Sequence, residues 1–201
     1  MKKIITFDVG GTNIRAALFH DYDIKAVEII KTNTVDEKFS PFQKIVIMAK
    51  ELWPIDGEIE GVAVAAPGFI DFHTGIVISA ANVPGWRDLP LKENLEKELN
   101  VPVVVNNDAR MAAYGEWKCG AGRGFSHMIY LTVSTGIGGG VIIENQLLNG
   151  ARGLSTELGH LTLDPDGPIC SCGQKGHLEA FASGQGIENY VMEKMTAGMH
   201  S

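Results

Sequence analysis

The sequence predicts a two-lobed α/β protein in which each lobe opens on a β-hairpin closed by a glycine-rich turn. Three observations carry this. Strand, glycine turn and strand occur at the start of the chain and again near residue 130, and aligning Asp8 with Thr132 superposes the two copies. Short β-branched runs alternate with stretches of helical period, the layout of strand–helix units. The 24 glycines exceed an average usage of about 7%, and they gather in short runs, as loops with special backbone geometry do.

Residues 3–7 and 14–19 are β-branched runs joined by Asp8-Val9-Gly10-Gly11-Thr12-Asn13, which predicts a hairpin, and a third strand follows near residues 24–30. Residues 40–53 read as a helix: Phe42, Ile45, Ala49 and Leu52 fall on one face, Ser40 can cap it, and Pro54 stops it. Gly61–Ala66 is a buried-type strand ending in Pro67-Gly68. Residues 89–99 form a second helix, with Pro90 in its first turn and Leu91, Leu95 and Leu99 on one face. Residues 101–105 make a further strand, followed by Asn106-Asn107-Asp108 and a helix to about Lys118. Residues 120–124 read as a boundary. Beyond it come a strand at 129–133, a glycine turn over Ser134–Gly140 and a strand at 141–144. The first lobe is therefore expected over residues 1–118 and the second over 119–201, where about 70 residues leave the repeat shorter than the first copy.

Composition excludes several classes. A net charge of −7 and a pI near 5.3 argue against a nucleic-acid surface, which needs a basic patch. Asp8 and Gly10-Gly11 break the N-terminal apolar run well short of the ~7–15 residues of a signal sequence or the ~20 of a membrane span. Three cysteines, two of them only two positions apart, fit a reducing, cytoplasmic setting with a metal or free thiols. Cys119 is expected to be a small buried residue.

Three groups of residues can carry chemistry. Paired glycine hairpins, the first with Asp8 and Thr12 and the second with Thr135, can cradle phosphates through backbone N–H groups; tight turns that need φ > 0 are the plainer reading. Neither is a Rossmann fingerprint, and no Walker-type phosphate loop is present. Asp108 sits at the C-terminal edge of a strand, where α/β sheets place ligands, although an N-cap Asp looks the same in sequence. Asn107 beside it and the Pro67-Gly68 loop favour a polar pocket. His160, Cys170, Cys172 and His177 offer two imidazoles and two thiols, enough for a tetrahedral zinc site, although Cys-x-Cys is tighter than common zinc-finger spacing.

Taken in order, these motifs resemble the ROK family of repressors, open reading frames and sugar kinases. Asp8-x-Gly10-Gly11-Thr12-x-x-Arg15 is similar to its first phosphate motif and Ser134-Thr135-Gly136-Ile137-Gly138-Gly139-Gly140 to its second. Ala66-Pro67-Gly68 and Asn82-x-Pro84-Gly85-Trp86 are similar to its sugar-side loops. Asn107-Asp108, Glu157-Leu158-Gly159-His160 and Cys170-x-Cys172-Gly173-x-x-Gly176-x-x-Glu179 resemble its sugar and zinc region.

The resemblance implies an actin-like, ribonuclease-H-like ATPase fold with two lobes around a cleft, the second cut short. It implies ATP-dependent phosphorylation of a hexose, glucose first, then N-acetylmannosamine, N-acetylglucosamine or fructose. By it Asp108 is the general base, and Gly68, Asn107, Glu157, His160 and Glu179 contact the sugar. Asp8 helps to place Mg²⁺, while Gly10, Gly11, Thr12, Thr135 and Gly136 contact phosphates. His160, Cys170, Cys172 and His177 hold a structural Zn²⁺. A homodimer is expected once the full-length fold is completed, and a sugar-binding module without efficient turnover is the rival reading. Two residues depart from the family pattern: His177 stands where a third cysteine is usual, and Arg110 where an Asn is common.

Overall fold

The computed structural model of the chain describes residues 2–33, 38–80, 82–151 and 153–198. The chain divides into two compact units, Met1–Asp108 with Asn149–Leu154, and Ala109–Leu148 with Ser155–Ser201.

In the first unit, β1 (Lys3–Val9), β2 (Asn13–His20) and β3 (Asp23–Lys31) form an antiparallel meander. The helix α1 (Pro41–Glu51) leads to β4 (Gly61–Ala66), which returns parallel to β1. A small antiparallel sheet of β5 (Phe69–Asp71), β6 (Ile76–Ser79) and β7 (Arg87–Leu89) follows. The helix α2 (Leu91–Leu99) then leads to β8 (Val103–Asn107), parallel to β4. The large sheet has the order β3-β2-β1-β4-β8. Its strands alternate because one face is buried: Ile5, Phe7 and Val9 of β1 and Val62 and Val64 of β4 join Ile45, Met48 and Ala49 of α1 and Leu91, Leu95 and Leu99 of α2 in one core. Each such buried Val, Leu, Ile, Phe or Met side chain contributes about 1.5–3 kcal/mol.

The helix starts follow local chemistry. Ser40 caps α1 in a reciprocal box, its hydroxyl accepting from the Gln43 N–H at 3.3 Å and its own N–H donating to Gln43 Oε1 at 2.9 Å. The second helix starts two residues later than its pattern predicts. Leu89 ends β7 opposite Val77 instead, so Pro90 is the N-cap and not part of the first turn. The small β5-β6-β7 sheet was not legible as strands, because its runs of three or four residues are shorter than any periodic signal.

The turn between β1 and β2 is strapped to the chain beyond β3. Buried Thr32 donates its hydroxyl to Gly10 O at 2.5 Å and its N–H to Thr12 O at 2.9 Å. Lys44 of α1 in turn donates to the carbonyls of Lys31 and Thr32.

The helix α3 (Asp108–Cys119) begins at the last residue of the first unit, so the boundary expected at 118/119 lies at the far end of this helix. In the second unit, β9 (Met128–Val133), β10 (Ile137–Ile143) and β11 (Gln146–Leu147) make an antiparallel sheet in the order β11-β10-β9. A 3₁₀ turn over Leu158–His160, the short helix α4 (Leu178–Ala182) and α5 (Gly184–Thr196) complete it.

The internal repeat is real: β9 and β10 pair as β1 and β2 do. The second turn is shorter than expected, since Gly138, Gly139 and Gly140 lie within β10. The reason is packing. A Cβ on Gly140 would stand 2.4 Å from Ala113 Cβ, and one on Gly138 would stand 2.8 Å from Ala109 Cβ, so these glycines let α3 lie directly on the strand. Burial also differs between the copies. Ile5, Phe7 and Val9 are at most 2% exposed, whereas their counterparts Ile129, Leu131 and Val133 are 70%, 49% and 63% exposed. Cys119, expected to be buried, is exposed because α3 ends there at the surface.

Two stability predictions follow from these contacts. Burial, reinforced by the neighbouring Glu51 carboxyl, raises the Glu28 carboxyl above its ordinary range. The folded state therefore holds this proton more tightly than the unfolded chain does. The stabilisation is present in acid and is lost as pH rises through the raised value. Glu28→Gln removes that loss, so its Tm exceeds the parent's at about pH 7, with the gap closing toward about pH 3.5; thermal unfolding across this range checks it. Gly140→Ala overpacks the α3–β10 contact and lowers stability by about 1–3 kcal/mol, measured by urea unfolding.

Candidate active site

The C-terminal ends of the three parallel strands gather the polar residues of the first unit. In register, Asp8 of β1 lies opposite Ala65 of β4, which lies opposite Asn106 of β8. One step further on come the turn of Gly10, Gly11 and Thr12, the Pro67-Gly68 loop, and Asn107 with Asp108. Parallel strands joined by crossover helices bring these loops to one sheet edge although they are distant in sequence.

Asp8 is exposed, and its Oδ2 accepts from Arg15 Nη1 at 2.8 Å, a pair across the hairpin register. Gly10 donates its N–H to Asn13 O at 2.8 Å and so closes the turn, while Gly11 and Thr12 stand exposed at its tip. Gly68 has φ +85, and a Cβ there would fall 2.1 Å from Ser79 O, so only glycine fits. Its carbonyl accepts from Asn107 Nδ2 at 3.1 Å, which ties the loop after β4 to the end of β8. Asp108 is half-buried and opens α3 directly after β8.

In the second unit, the turn between β9 and β10 presents exposed Thr135 and half-buried Gly136. The Glu157 carboxylate is held by Arg110 of α3, Nη2 to Oε1 3.3 Å, and the guanidinium is only 1% exposed. Arginine does not deprotonate in proteins, so the buried guanidinium brings a fixed positive charge to this carboxylate. Arg110 was noted in the sequence only as a departure; its role as the anchor of Glu157 needed the three-dimensional packing. Glu179, expected at the sugar, has its Oε2 on the Ile137 N–H at 2.8 Å and its Oε1 on the Ser171 hydroxyl at 2.9 Å.

The four expected metal ligands converge. One donor atom from each of His160, Cys170, Cys172 and His177 lies within 4.8 Å of all the others. His160 Nδ1 is 3.3 Å from His177 Nδ1, Cys172 Sγ is 3.3 Å from His177 Nδ1, and Cys170 Sγ is 3.6 Å from His160 Nδ1. Zinc–nitrogen bonds near 2.0–2.1 Å and zinc–sulfur bonds near 2.3 Å give tetrahedral edges of about 3.3 Å for N···N and about 3.5 Å for N···S. The donor set therefore fits a tetrahedral zinc ion, with His177 completing it where a cysteine is usual. A short turn builds the cluster: Gly173 N–H donates to Cys170 O, and Cys170 N–H donates to Gln174 O. Burial, with the neighbouring Cys172 thiol, pushes the Cys170 thiol up; a bound cation acts the other way, because the thiolate is the ligand form. With Nδ1 of His160 facing the cluster, its Nε2 is left on the opposite edge of the ring.

The site has relatives in known proteins. The glucokinase of Streptomyces coelicolor is 37% identical over 195 residues, 96% of this chain and 60% of that enzyme. Among solved structures, the ROK hexokinase of Thermus thermophilus superposes with a TM-score of 0.81 at 35% identity, covering 96% of this chain and 64% of that one. A ROK family glucokinase of Streptomyces griseus, solved in complex with glucose and AMPPNP, gives a TM-score of 0.76 at 35% identity, with coverages of 97% and 62%. The chain thus spans about three-fifths of the length of these relatives, and it shares their actin-like, ribonuclease-H-like fold. The ROK family signature itself matches residues 4–199, nearly the whole chain, and this protein belongs to the ROK family.

Proposed function

We propose that this protein transfers the γ-phosphoryl group of ATP to a hydroxyl of a hexose, glucose to glucose 6-phosphate in the first instance, with Asp108 as general base. The observation that carries the proposal is the shared sheet edge. The first glycine turn, the Gly68 loop and Asn107-Asp108 all follow C-terminal ends of β1, β4 and β8 in register. A phosphate cradle, a polar loop and a half-buried carboxylate along one edge are the parts that phosphoryl transfer to an alcohol needs. The relatives add weight for glucose, since those named are a glucokinase, a hexokinase and a glucokinase solved with that sugar.

A sugar hydroxyl is a weak nucleophile. Asp108 accepts its proton as the oxygen attacks the γ-phosphorus, and the bond from that phosphorus to the ADP oxygen breaks. Gly68, Asn107, Glu157 and His160 supply the sugar contacts. Glu157, held by Arg110, receives hydrogen bonds from hydroxyls, and Nε2 of His160 is turned to the same task. Gly10, Gly11, Thr12, Thr135 and Gly136 face the phosphates. Asp8 would hold Mg²⁺ directly or through water; its carboxylate keeps acceptor capacity beyond the one bond to Arg15. The ion supplies charge neutralisation at the phosphates. His160, Cys170, Cys172 and His177 would hold Zn²⁺, which fixes the loop that carries His160.

Asp108→Asn is expected to lower kcat by about 10²–10⁴-fold while sugar affinity is retained. Coupled ADP-release kinetics and sugar titration check both halves, and a near-normal kcat refutes the base assignment. Metal analysis is expected to find one zinc per chain. Cys172→Ala is expected to lose it together with about 10–100-fold of activity, and zinc-free protein at full activity refutes this site. A sugar panel in thermal-shift format, with and without ATP, ranks glucose against the N-acetylhexosamines and fructose; sugar binding without ADP production defeats the kinase proposal.

A further inference from the structure

The glycines of the first turn are not required by its backbone conformation. Neither Gly10 nor Gly11 lies in the left-handed region, so φ does not bar a side chain at either position. Space is the constraint at Gly11: a Cβ there would stand 3.0 Å from Asn82 Cβ and 3.2 Å from Asn82 O. The turn is also fastened from within. Thr32 is fully buried and takes two of its carbonyls, the hydroxyl donating to Gly10 O at 2.5 Å and the N–H to Thr12 O at 2.9 Å. Thr32 is itself held. Lys44 Nζ donates to Thr32 O at 2.9 Å and to Lys31 O at 3.0 Å, from a helix whose Ile45, Met48 and Ala49 are locked in the core.

A peptide group is planar and trans, so its C=O and N–H point in opposite directions. The Gly10 carbonyl shares its plane with the Gly11 N–H. Turning that carbonyl inward onto a buried hydroxyl therefore turns the Gly11 N–H outward, at an exposed residue. Among the described residues, neither the Gly11 nor the Thr12 N–H makes a hydrogen bond. Adjacent N–H groups without a protein partner are what an anion binds.

We propose that Thr32 is a positioning residue for phosphate: through its hydroxyl it aims the Gly11 N–H out of the first turn as an anion donor. Being fully buried, Thr32 reaches no ligand itself. Lys44 sets Thr32, Thr32 sets the Gly10–Gly11 peptide, and that peptide meets the anion. The bond from the Gly10 N–H to Asn13 O belongs to the preceding peptide group and does not set this plane. The ligand class rests on the kinase proposal: the phosphate chain of a nucleoside triphosphate.

Nuclear magnetic resonance of the ¹⁵N-labelled full chain reads the Gly11 amide directly. In the parent, titration with Mg²⁺ and AMPPNP is expected to move the Gly11 amide proton downfield. Thr32→Val has nearly the same shape and keeps the backbone N–H, so it separates packing from orientation. It is expected to bind AMPPNP about tenfold more weakly and to raise KM for ATP by a similar factor. Glucose affinity is expected to stay unchanged, and kcat at saturating ATP to fall by less than about threefold. Thr32→Ser, which restores the hydroxyl, is expected to return nucleotide affinity to the parent's value. Lys44→Met leaves the hydroxyl in place and loosens only its support, with an expected loss of about two- to threefold in nucleotide affinity.

Parent-like nucleotide affinity in Thr32→Val overturns the assignment. So does a Thr32→Ser variant as weak as Thr32→Val, or a loss of glucose affinity that matches the loss of nucleotide affinity. If Thr32→Val does not fold, Lys44→Met decides, and parent-like nucleotide affinity there overturns the assignment. If the parent binds no nucleotide, the kinase proposal fails and inorganic pyrophosphate becomes the probe. A Gly11 shift with pyrophosphate that Thr32→Val weakens then sustains the positioning role, and a Gly11 amide indifferent to pyrophosphate overturns it.

Discussion

The central place of β1 is the constraint on which the first unit depends. The strand pairs antiparallel with β2 on one edge and parallel with β4 on the other, and its alternate side chains, Ile5, Phe7 and Val9, point into the core. A slip of one residue would turn all three to the opposite face, so burial sets the register, and register sets which residues reach the sheet edge. Asp8, between two buried neighbours, is thereby left on the open face at the end of the strand. The Thr32 strap and the Asn107–Gly68 bond then fix two loops that β1 and β4 have already delivered.

Much of this was legible in the amino-acid sequence, for local reasons. The hairpins announce themselves through β-branched runs around glycine, α1 through its Ser40 cap and Pro54, and Gly61–Ala66 through its unbroken small apolar residues. The metal cluster was legible as residue types, although nothing in Cys-x-Cys spacing says that four donor atoms come within 4.8 Å of one another. What stayed hidden depends on partners distant in sequence. Leu89 reads as helical until its pairing with Val77 is known. Gly138 and Gly140 read as turn residues until α3 is laid across them. Thr32, Arg110 and Ser183 are buried polar residues whose partners no periodicity reveals.

The second unit achieves order by other means. Fewer of its apolar side chains are buried, and polar fastenings take a larger share: Arg110 on Glu157, Glu179 on Ile137 and Ser171, Ser183 on Gly186, and the His/Cys cluster. Hydrogen bonds of this kind contribute about 0.5–1.5 kcal/mol each, less than a well-buried aliphatic side chain. They are directional, however, and direction is what a loop that must hold an imidazole or a carboxylate requires.

The exposure of Ile129, Leu131 and Val133 has a consequence for the molecule in solution. β9 is the last strand of its sheet among the described residues, so an apolar row lies beside an open backbone edge. Surfaces of this kind invite further strands to add on. A strand that paired there would bury the apolar row and bring chain concentration into the stability of this unit.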